Sequence, residues 1–549
     1  MSVSVTRMET VSGNIVDVLN SDIYPGTIRI SDGRIADIIR DNGKYEMYIV
    51  PGLIDAHFHV ESSMLVPSEL ARLTAIHGTI AIVSDPHEIA NVLGVAGVRY
   101  MIENAQTVPV KFYFGAPSCV PATDFETSGA VIGPEQIEEL LRMNEIKYLA
   151  EVMNFPGVIH EVPDVIKKIK IAKKYSKVID GHAPGLRGEG LKKYIGAGIS
   201  TDHECISREE GLEKIRYGMK IIIREGSAAR NFDELIPLVE DHSDMCMFCS
   251  DDKHPDELVH GHINDLVRRA FDYGLDVMKV LRVACVNPVI HYHLDVGLLR
   301  KGDRADFLVV NNLKSFRVLK TYINGKVVAE DGVSLIPRKQ IRIVNNFNTG
   351  RKNVNDFLLE YHGGSINVIE AIDGQVITDR LTICPKVTEK FVSSDIEKDI
   401  LKIAVVNRYK NVKVATGFIK NFGLKRGSIA SSVAHDSHNI VAVGDNERNI
   451  CRAVNLVIKN KGGISAVSNN TEVILPLPVA GVMSDNEYTL VAKKYVQLNK
   501  TAKDFGSQLH APFMTLSFMA LPVIPKLKMT DKGLFDGEHF QFISVFENA

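Results

Sequence analysis

The chain has 549 residues, too many for one typical hydrophobic core, so two or three globular domains are expected. Its composition is that of an ordinary globular protein, with 45% hydrophobic and 24% charged residues. A formal net charge of -3 argues against a broad cationic surface for nucleic acid or anionic membranes, so a small-molecule substrate is the better expectation.

The N-terminal sequence, the lack of a long apolar stretch and the cysteines indicate the cellular compartment. The opening text MSVSVTRMETVSGNIVDV lacks the charged start and apolar core of a secretory signal, and no stretch reaches the ~20 apolar residues that cross a bilayer. Seven cysteines with scattered spacing are typical of reduced thiols. The one close pair, Cys246 and Cys249, lies in an apolar run, which favours packing over a redox or metal role. We therefore expect a cytosolic protein.

The first half of the chain predicts a β module followed by a barrel. Residues 1–51 alternate short β-rich runs with turns such as Asp32-Gly33. In residues 52–294, short apolar runs alternate with longer helix-like stretches such as PEQIEELLRMN. About eight strand–helix units in roughly 240 residues predict a closed (β/α)8 barrel with parallel strands.

The rest of the chain predicts two further parts of an α/β protein. Residues 295–345 are again β-rich, with a turn signal at Asn324-Gly325, and are expected to pair with the N-terminal strands in a composite β-sandwich. Residues 350–549 mix helices and strands and are long enough for a core of their own. We expect them to form a C-terminal mixed α/β domain.

Metal-ligand side chains follow the apolar runs of the predicted barrel, at the end where barrel enzymes carry their chemistry. In IDAHFHV, His57 and His59 are two residues apart on a strand, so both imidazoles point to the same side. Later runs end in Glu151, His182, His203 and Asp251, with Asp252 behind it. Any one of these is better explained as a hydrogen-bonded loop residue. Together they predict a metal site, because such groups are costly to bury unless paired or metal-bound.

The motifs around these residues resemble those of a known enzyme family. PGLIDAHFHVESSM, followed by a carboxylate, two single histidines and an aspartate, resembles the amidohydrolase superfamily. Closer still, HVESSM, SDPHEIANVLG, EVMNFPGV, DGHAPGL, TDHE, REGSAARN and FGLKRGSIASSVAHDSHNIVAVG are similar, in this order, to bacterial and archaeal adenine deaminases. The likeness covers nearly the whole chain.

The resemblance implies a two-metal centre. One ion would be held by His57, His59 and Asp251, the other by His182 and His203, with Glu151 bridging the two. Mn2+ or Fe2+ is the implied metal, although the same donors would also accept Zn2+. Related cyclic-amide hydrolases use a carboxylated lysine as the bridge, so the glutamate favours the deaminase branch.

The implied reaction is hydrolysis of adenine to hypoxanthine and ammonia. A hydroxide shared by the metals would attack C6, with Asp251 accepting the proton and Asp252 as the alternative base. An acid is needed near the ring nitrogen. Glu61 is the first candidate and Glu88 the second, whereas His87 could orient the substrate. A supporting contact to a ligand histidine explains Glu61 equally well.

Two further polar segments have open interpretations. Arg224 and Arg230 flank a small-residue loop that either closes over the purine or is simply a charged loop on the rim. His435, Asp436 and His438 interrupt the apolar text ASSVAHDSHNIVAVG. They either reach the barrel mouth from the third domain or form a satisfied buried turn.

Alternative functions remain. Within the same class of enzyme, the nearest is another binuclear amidohydrolase acting on a different heterocycle or a cyclic amide. A non-catalytic scaffold is expected to have lost ligands, and all six are present. Zinc deaminases of the cytidine type need His-x-Glu with Pro-Cys-x-x-Cys, which this chain lacks. A homo-oligomer is possible, since composition says nothing of subunit number.

Overall fold

The computed structural model of the chain describes residues 9–547. Residues 1–8, which contribute to the expectation that a secretory signal is missing, lie outside the described residues. Within residues 9–547, no helix combines the length and apolarity that crossing a bilayer would require.

Eight parallel strands form the predicted barrel. Five of them pair in chain order, and three more continue the series. The strands are Leu53–Phe58, Thr79–Ser84, Lys111–Ala116, Ile146–Val152, Val178–Gly181, Thr201–Asp202, Lys220–Arg224 and Cys246–Cys249. The barrel closes where Phe58 pairs in parallel with Asp251. Both faces of these strands are buried, which explains their nearly continuous apolar text.

Helices cover the outside of the barrel. They are mostly short, and some of them begin at a Pro, Ser or Asp that favours a helix start, as at Pro67, Ser207 and Asp276. Their bounds are Pro67–Ala75, His87–Leu93, Val95–Ala105, Pro134–Leu141, Phe155–Ile159, Pro163–Lys174, Gly188–Gly196, Arg208–Arg216, Phe232–Leu235, Leu238–His242, Pro255–Leu258, Ile263–Asp272, Val277–Leu281 and Asn287–Tyr292.

The chain segments on either side of the barrel build one sheet. Strand Phe307–Val310 pairs antiparallel with Tyr48–Pro51, which joins the two segments. In spatial order the eight strands are Val333–Ser334, Lys326–Glu330, Val318–Ile323, Phe307–Val310, Tyr48–Pro51, Glu9–Asp17, Asp22–Ser31 and Arg34–Arg40. Their apolar residues form a core of their own around Ile28, Ile49 and Phe307.

The C-terminal part contains a nine-stranded, mostly antiparallel sheet. Eight strands run in the spatial order Thr378–Ile383, Ser365–Ala371, Ala415–Lys420, Ile400–Val406, Ile440–Gly444, Ser428–Ser431, Gly463–Ser468 and Thr471–Pro476, and Phe546–Glu547 pairs with the second of them. The helices of this part are Glu447–Lys459, Tyr488–Asp504 and Pro512–Phe518. Small sheets add Lys386–Thr388 with Phe391–Ser393, and Leu527–Thr530 with Gly533–Asp536 and Gln541–Phe542.

The C-terminal part packs directly on the barrel. One hydrophobic cluster contains Val60 and Leu65 from the barrel together with Met483 and Leu516. Ser484 also donates its backbone N–H to the carbonyl of Met64 over 2.8 Å. The α/β class and the barrel architecture expected from the sequence are therefore confirmed, and the barrel mouth is covered by C-terminal residues.

Candidate metal centre

Closure of the barrel places the first two histidines beside an aspartate. Asp251 donates its N–H to the carbonyl of His57 over 3.0 Å, and its own carbonyl accepts from the N–H of His59 over 3.3 Å. The Nε2 atoms of the two histidines consequently lie 3.4 and 3.1 Å from Asp251 Oδ1. Three potential metal-ligand atoms thus meet at the joint between the first and last strands.

Glu151 faces two groups of histidines at once. It ends the strand Ile146–Val152 and is buried. Its Oε1 lies 3.4 Å from His59 Nε2, whereas its Oε2 lies 2.7 Å from His182 Nδ1 and 3.3 Å from His203 Nε2. Burial alone would raise the pKa of this carboxyl, but His182 and the other imidazoles hold its pKa well below the usual range. Its two oxygens are arranged as a bridge would require.

The structure brings all six ligand candidates into one site. Their ligand atoms, together with one of Glu204, form overlapping groups. In each group all ligand atoms lie within 4.8 Å of one another: His57, His59 and Asp251; His57, Glu151 and His203; and His182, His203 and Glu204. Imidazole nitrogens and carboxylate oxygens are donors that suit Mn2+, Fe2+ or Zn2+. Such a concentration of buried donors is costly without a cation, so the residues fit divalent metal.

Two residues of the site were missed by sequence reasoning. Glu204 Oε1 lies 3.6 Å from His182 Nδ1 and 3.5 Å from His203 Nε2. Asp85 belongs to a second group with His59, His87 and Glu151. Both follow apolar runs, in TDHE and SDPHE. The position of a metal-ligand side chain directly after a barrel strand, which identified the other candidates, would also have identified these two carboxylates.

The two arginines that flank the small-residue loop have different positions. Arg224 ends the strand Lys220–Arg224, is buried, and donates from Nη1 to Asp251 Oδ2 over 2.6 Å while also contacting Glu204. Arg230 is 44% exposed and pairs with Glu257 over 2.7 Å. Only Arg224 therefore belongs to the centre, where it offsets the charge of two carboxylates.

Asp252 has a different partner from that of Asp251. Its Oδ1 accepts a hydrogen bond from Ser62 Oγ over 2.5 Å. Of these two adjacent aspartates, only Asp251 provides a ligand atom to the groups given above.

Glu61 connects the end of the first strand to a helix. It lies on the 3-10 turn Val60–Ser63, and its Oε1 accepts from the N–H of Ile89 over 2.9 Å, in the first turn of helix His87–Leu93. Its Oε2 is buried without a hydrogen-bond partner. Burial raises the pKa of this carboxyl to about 7. One oxygen thus has a structural contact and the other is free.

Glu88 lies between two histidines of the C-terminal part. His435 Nδ1 contacts its Oε1, and His438 Nε2 contacts its Oε2. Burial alone would raise the pKa of Glu88, but the two imidazoles hold its pKa well below the usual range. Glu88 is therefore ionised, which makes it a poor proton donor for a ring nitrogen. The loop that contains the two histidines lies against the barrel mouth.

Comparison with known proteins gives the family. Residues 48–328 match the amidohydrolase family, and residues 375–541 match the adenine deaminase C-terminal domain. A protein of Sulfurovum sp. named adenine deaminase is 55% identical over 97% of this chain and 99% of that protein. The chain belongs to the adenine deaminase family. Its relative in Methanosarcina mazei, with the same name, is 50% identical over 98% of this chain and 100% of that protein.

Solved structures similar to this family member are more distant. A β-aspartyl dipeptidase from Fervidobacterium islandicum AW-1 is 18% identical, with a TM-score of 0.47 over 60% of this chain and 98% of that one. An N-acetyl-D-glucosamine-6-phosphate deacetylase from Mycobacterium smegmatis is 15% identical, with a TM-score of 0.47 over 58% of this chain and 99% of that one.

A buried lysine supports the second half of the centre. Lys214 Nζ pairs with Asp202 Oδ2 over 2.9 Å and with Glu210 Oε1 over 2.6 Å, and it donates to the carbonyl of Ala183 over 2.8 Å. Asp202 precedes His203, and Ala183 follows His182. Burial alone would raise the pKa of Asp202, but Lys214 holds its pKa at about 2. Lys214 therefore fixes the backbone next to both histidines.

Removing the lysine charge should destabilise the protein. Lys214→Met leaves the buried carboxylate of Asp202 without its cation, and breaking such a pair costs about 3–5 kcal/mol of unfolding free energy. Equilibrium unfolding in urea at neutral pH measures the loss. Lys192→Met is the matched control, because Lys192 pairs with Glu189 on an exposed helix face. Similar stabilities of the two variants would contradict the role given to Lys214.

Proposed function

We propose that this chain hydrolyses adenine to hypoxanthine and ammonia at the mouth of its barrel. The relatives named adenine deaminase match it over nearly their full length. The observation that carries the chemistry is the position of Glu151, whose two oxygens face two separate histidine groups. A carboxylate in this position would hold two ions close enough to share a nucleophilic water.

Six side chains are proposed as the ligands of two divalent metals. We assign His57, His59 and Asp251 to one ion, His182 and His203 to the other, and Glu151 to both. When bound, the metals supply a water whose pKa is low enough for it to act as a nucleophile at neutral pH. Mn2+ or Fe2+ is the proposed metal, with Zn2+ as the less favoured one. A cytosolic location and a homo-oligomer stay predictions.

Asp251 is the proposed base. Its Oδ2 is fixed by the guanidinium of Arg224 at 2.6 Å, so the carboxylate cannot rotate away from the histidines on its Oδ1 side. It accepts the proton of the attacking water and returns it to the amino nitrogen at C6. The C6–N bond then breaks and ammonia leaves. The second water proton leaves the new C6 oxygen and restores the acid that protonates the ring nitrogen, which yields hypoxanthine.

Glu61 is the proposed acid for the ring nitrogen. It follows His59 by two residues, and its Oε2 is buried without a hydrogen-bond partner. Its other oxygen is held by the backbone of Ile89, so the carboxyl has a fixed orientation. A fixed carboxylic acid with one free oxygen can donate a proton as negative charge develops on the purine.

The role of Asp251 is tested by removing its charge. Asp251→Asn should lower kcat for ammonia release from adenine by about 10²- to 10⁴-fold, because the amide cannot accept the proton of water. The neighbouring Asp252→Asn serves as the comparison and should retain much more activity. Wild-type turnover by Asp251→Asn, or a larger loss in Asp252→Asn, would contradict the assignment.

Glu61→Gln separates the acid from a supporting role. We expect kcat to fall on the order of 10²-fold while KM and bound metal stay near wild type, since the amide keeps its acceptor for Ile89 but has no acidic proton. Glu103→Gln, on an exposed helix position, is the control. Loss of metal from Glu61→Gln would show instead that Glu61 supports the ligand histidines.

A further inference from the structure

A second cluster of potential ligands lies beside the proposed metal pair. The ligand atoms of His87, Glu88 and Asp436 all lie within 4.8 Å of one another. The first two come from the start of helix His87–Leu93 in the barrel, and Asp436 comes from the C-terminal loop. None of the three belongs to the ligand set proposed above.

Asp436 has no partner that explains its burial. Its side chain is 4% exposed, and its Oδ2 is buried without a hydrogen bond. The two neighbouring histidines of the loop both contact Glu88, and neither donates a hydrogen bond to this oxygen. A buried carboxylate oxygen without a partner is unfavourable, which indicates that a bound group is needed here.

His87 lies between the proposed metal pair and this cluster. Its Nδ1 lies 3.3 Å from Asp85 Oδ2 and 3.4 Å from Glu151 Oε1, and it has no hydrogen-bond partner among the described residues. Its Nε2 lies 3.6 Å from Glu88 Oε1. Nε2 is therefore the ring nitrogen that faces Glu88.

Glu88 is also held in place from outside the cluster. His435 and His438 contact one oxygen each and keep the carboxylate ionised. His435 is in turn stacked on Phe518, with ring centroids 4.7 Å apart. The cluster thus has one imidazole that faces it, one fixed carboxylate and one carboxylate oxygen without a hydrogen-bond partner.

We propose that His87, Glu88 and Asp436 bind a third divalent cation, which links the C-terminal part to the barrel mouth. One imidazole and two carboxylates suit Mn2+, Fe2+ or Zn2+. The ion would satisfy Asp436 Oδ2 and join ligands from the barrel to a ligand from the C-terminal loop. The total of three ions rests on the two-ion centre of the proposed function.

The test counts bound Mn2+ on the full-length protein. Protein dialysed against a fixed free Mn2+ concentration and analysed by mass spectrometry should hold three ions per chain. Asp436→Asn, which replaces one oxygen of similar size, should hold two. Asp504→Asn changes an exposed aspartate of the same part of the chain and should hold three. The unfolding temperature of each variant checks the fold, and Glu88→Gln is the second variant if Asp436→Asn does not fold.

The outcomes separate this proposal from the proposed function. Three ions in wild type, two in Asp436→Asn and retained adenine turnover would support it. Two ions in both proteins, or three in both, would overturn it and leave the two-ion centre untouched. Two ions in both with a raised KM for adenine in Asp436→Asn would mean that the purine, not a cation, contacts Asp436. Fewer than two ions in wild type would count against the proposed function as well.

Discussion

The carboxylate of Glu151 is the interaction on which the candidate centre depends. Its two oxygens face two histidine groups, one contributed by the first barrel strand and the other by the fifth and sixth. Parallel strands of a closed barrel end at one rim, which is why these residues converge despite their separation in sequence. The surrounding cations Arg224 and Lys214 offset nearby carboxylates, so the rim can hold this density of charge.

The C-terminal part is an integral component of the site. Its apolar residues share one hydrophobic cluster with the barrel, and its loop presents His435 and His438 to Glu88. These two imidazoles offset the cost of burying the Glu88 carboxylate. The barrel mouth and the C-terminal loop therefore stabilise each other, and the helix that starts at His87 receives its orientation from both.

The sequence predicts most of the barrel because each signal is local. Apolar runs, helix-like spacing and ligand types at the ends of several strands require no knowledge of which strands are neighbours, and the family resemblance adds the order of the motifs. The pairing of Arg224 with Asp251 depends on strand order and closure, so the sequence alone could not choose between a loop that closes over the purine and a charged loop on the rim. The contact of Glu88 with His435 joins residues 347 positions apart, a distance at which no periodicity carries information. The roles of Glu61 and Asp251 stay predictions.

The most direct test of the account is ammonia release by the purified protein, loaded with Mn2+ or Fe2+, from adenine beside adenosine, guanine and cytosine. The account predicts rapid release from adenine alone, with hypoxanthine as the second product. No release from any of the four, with two bound ions verified, would contradict the proposed reaction and direct the substrate search to cyclic amides.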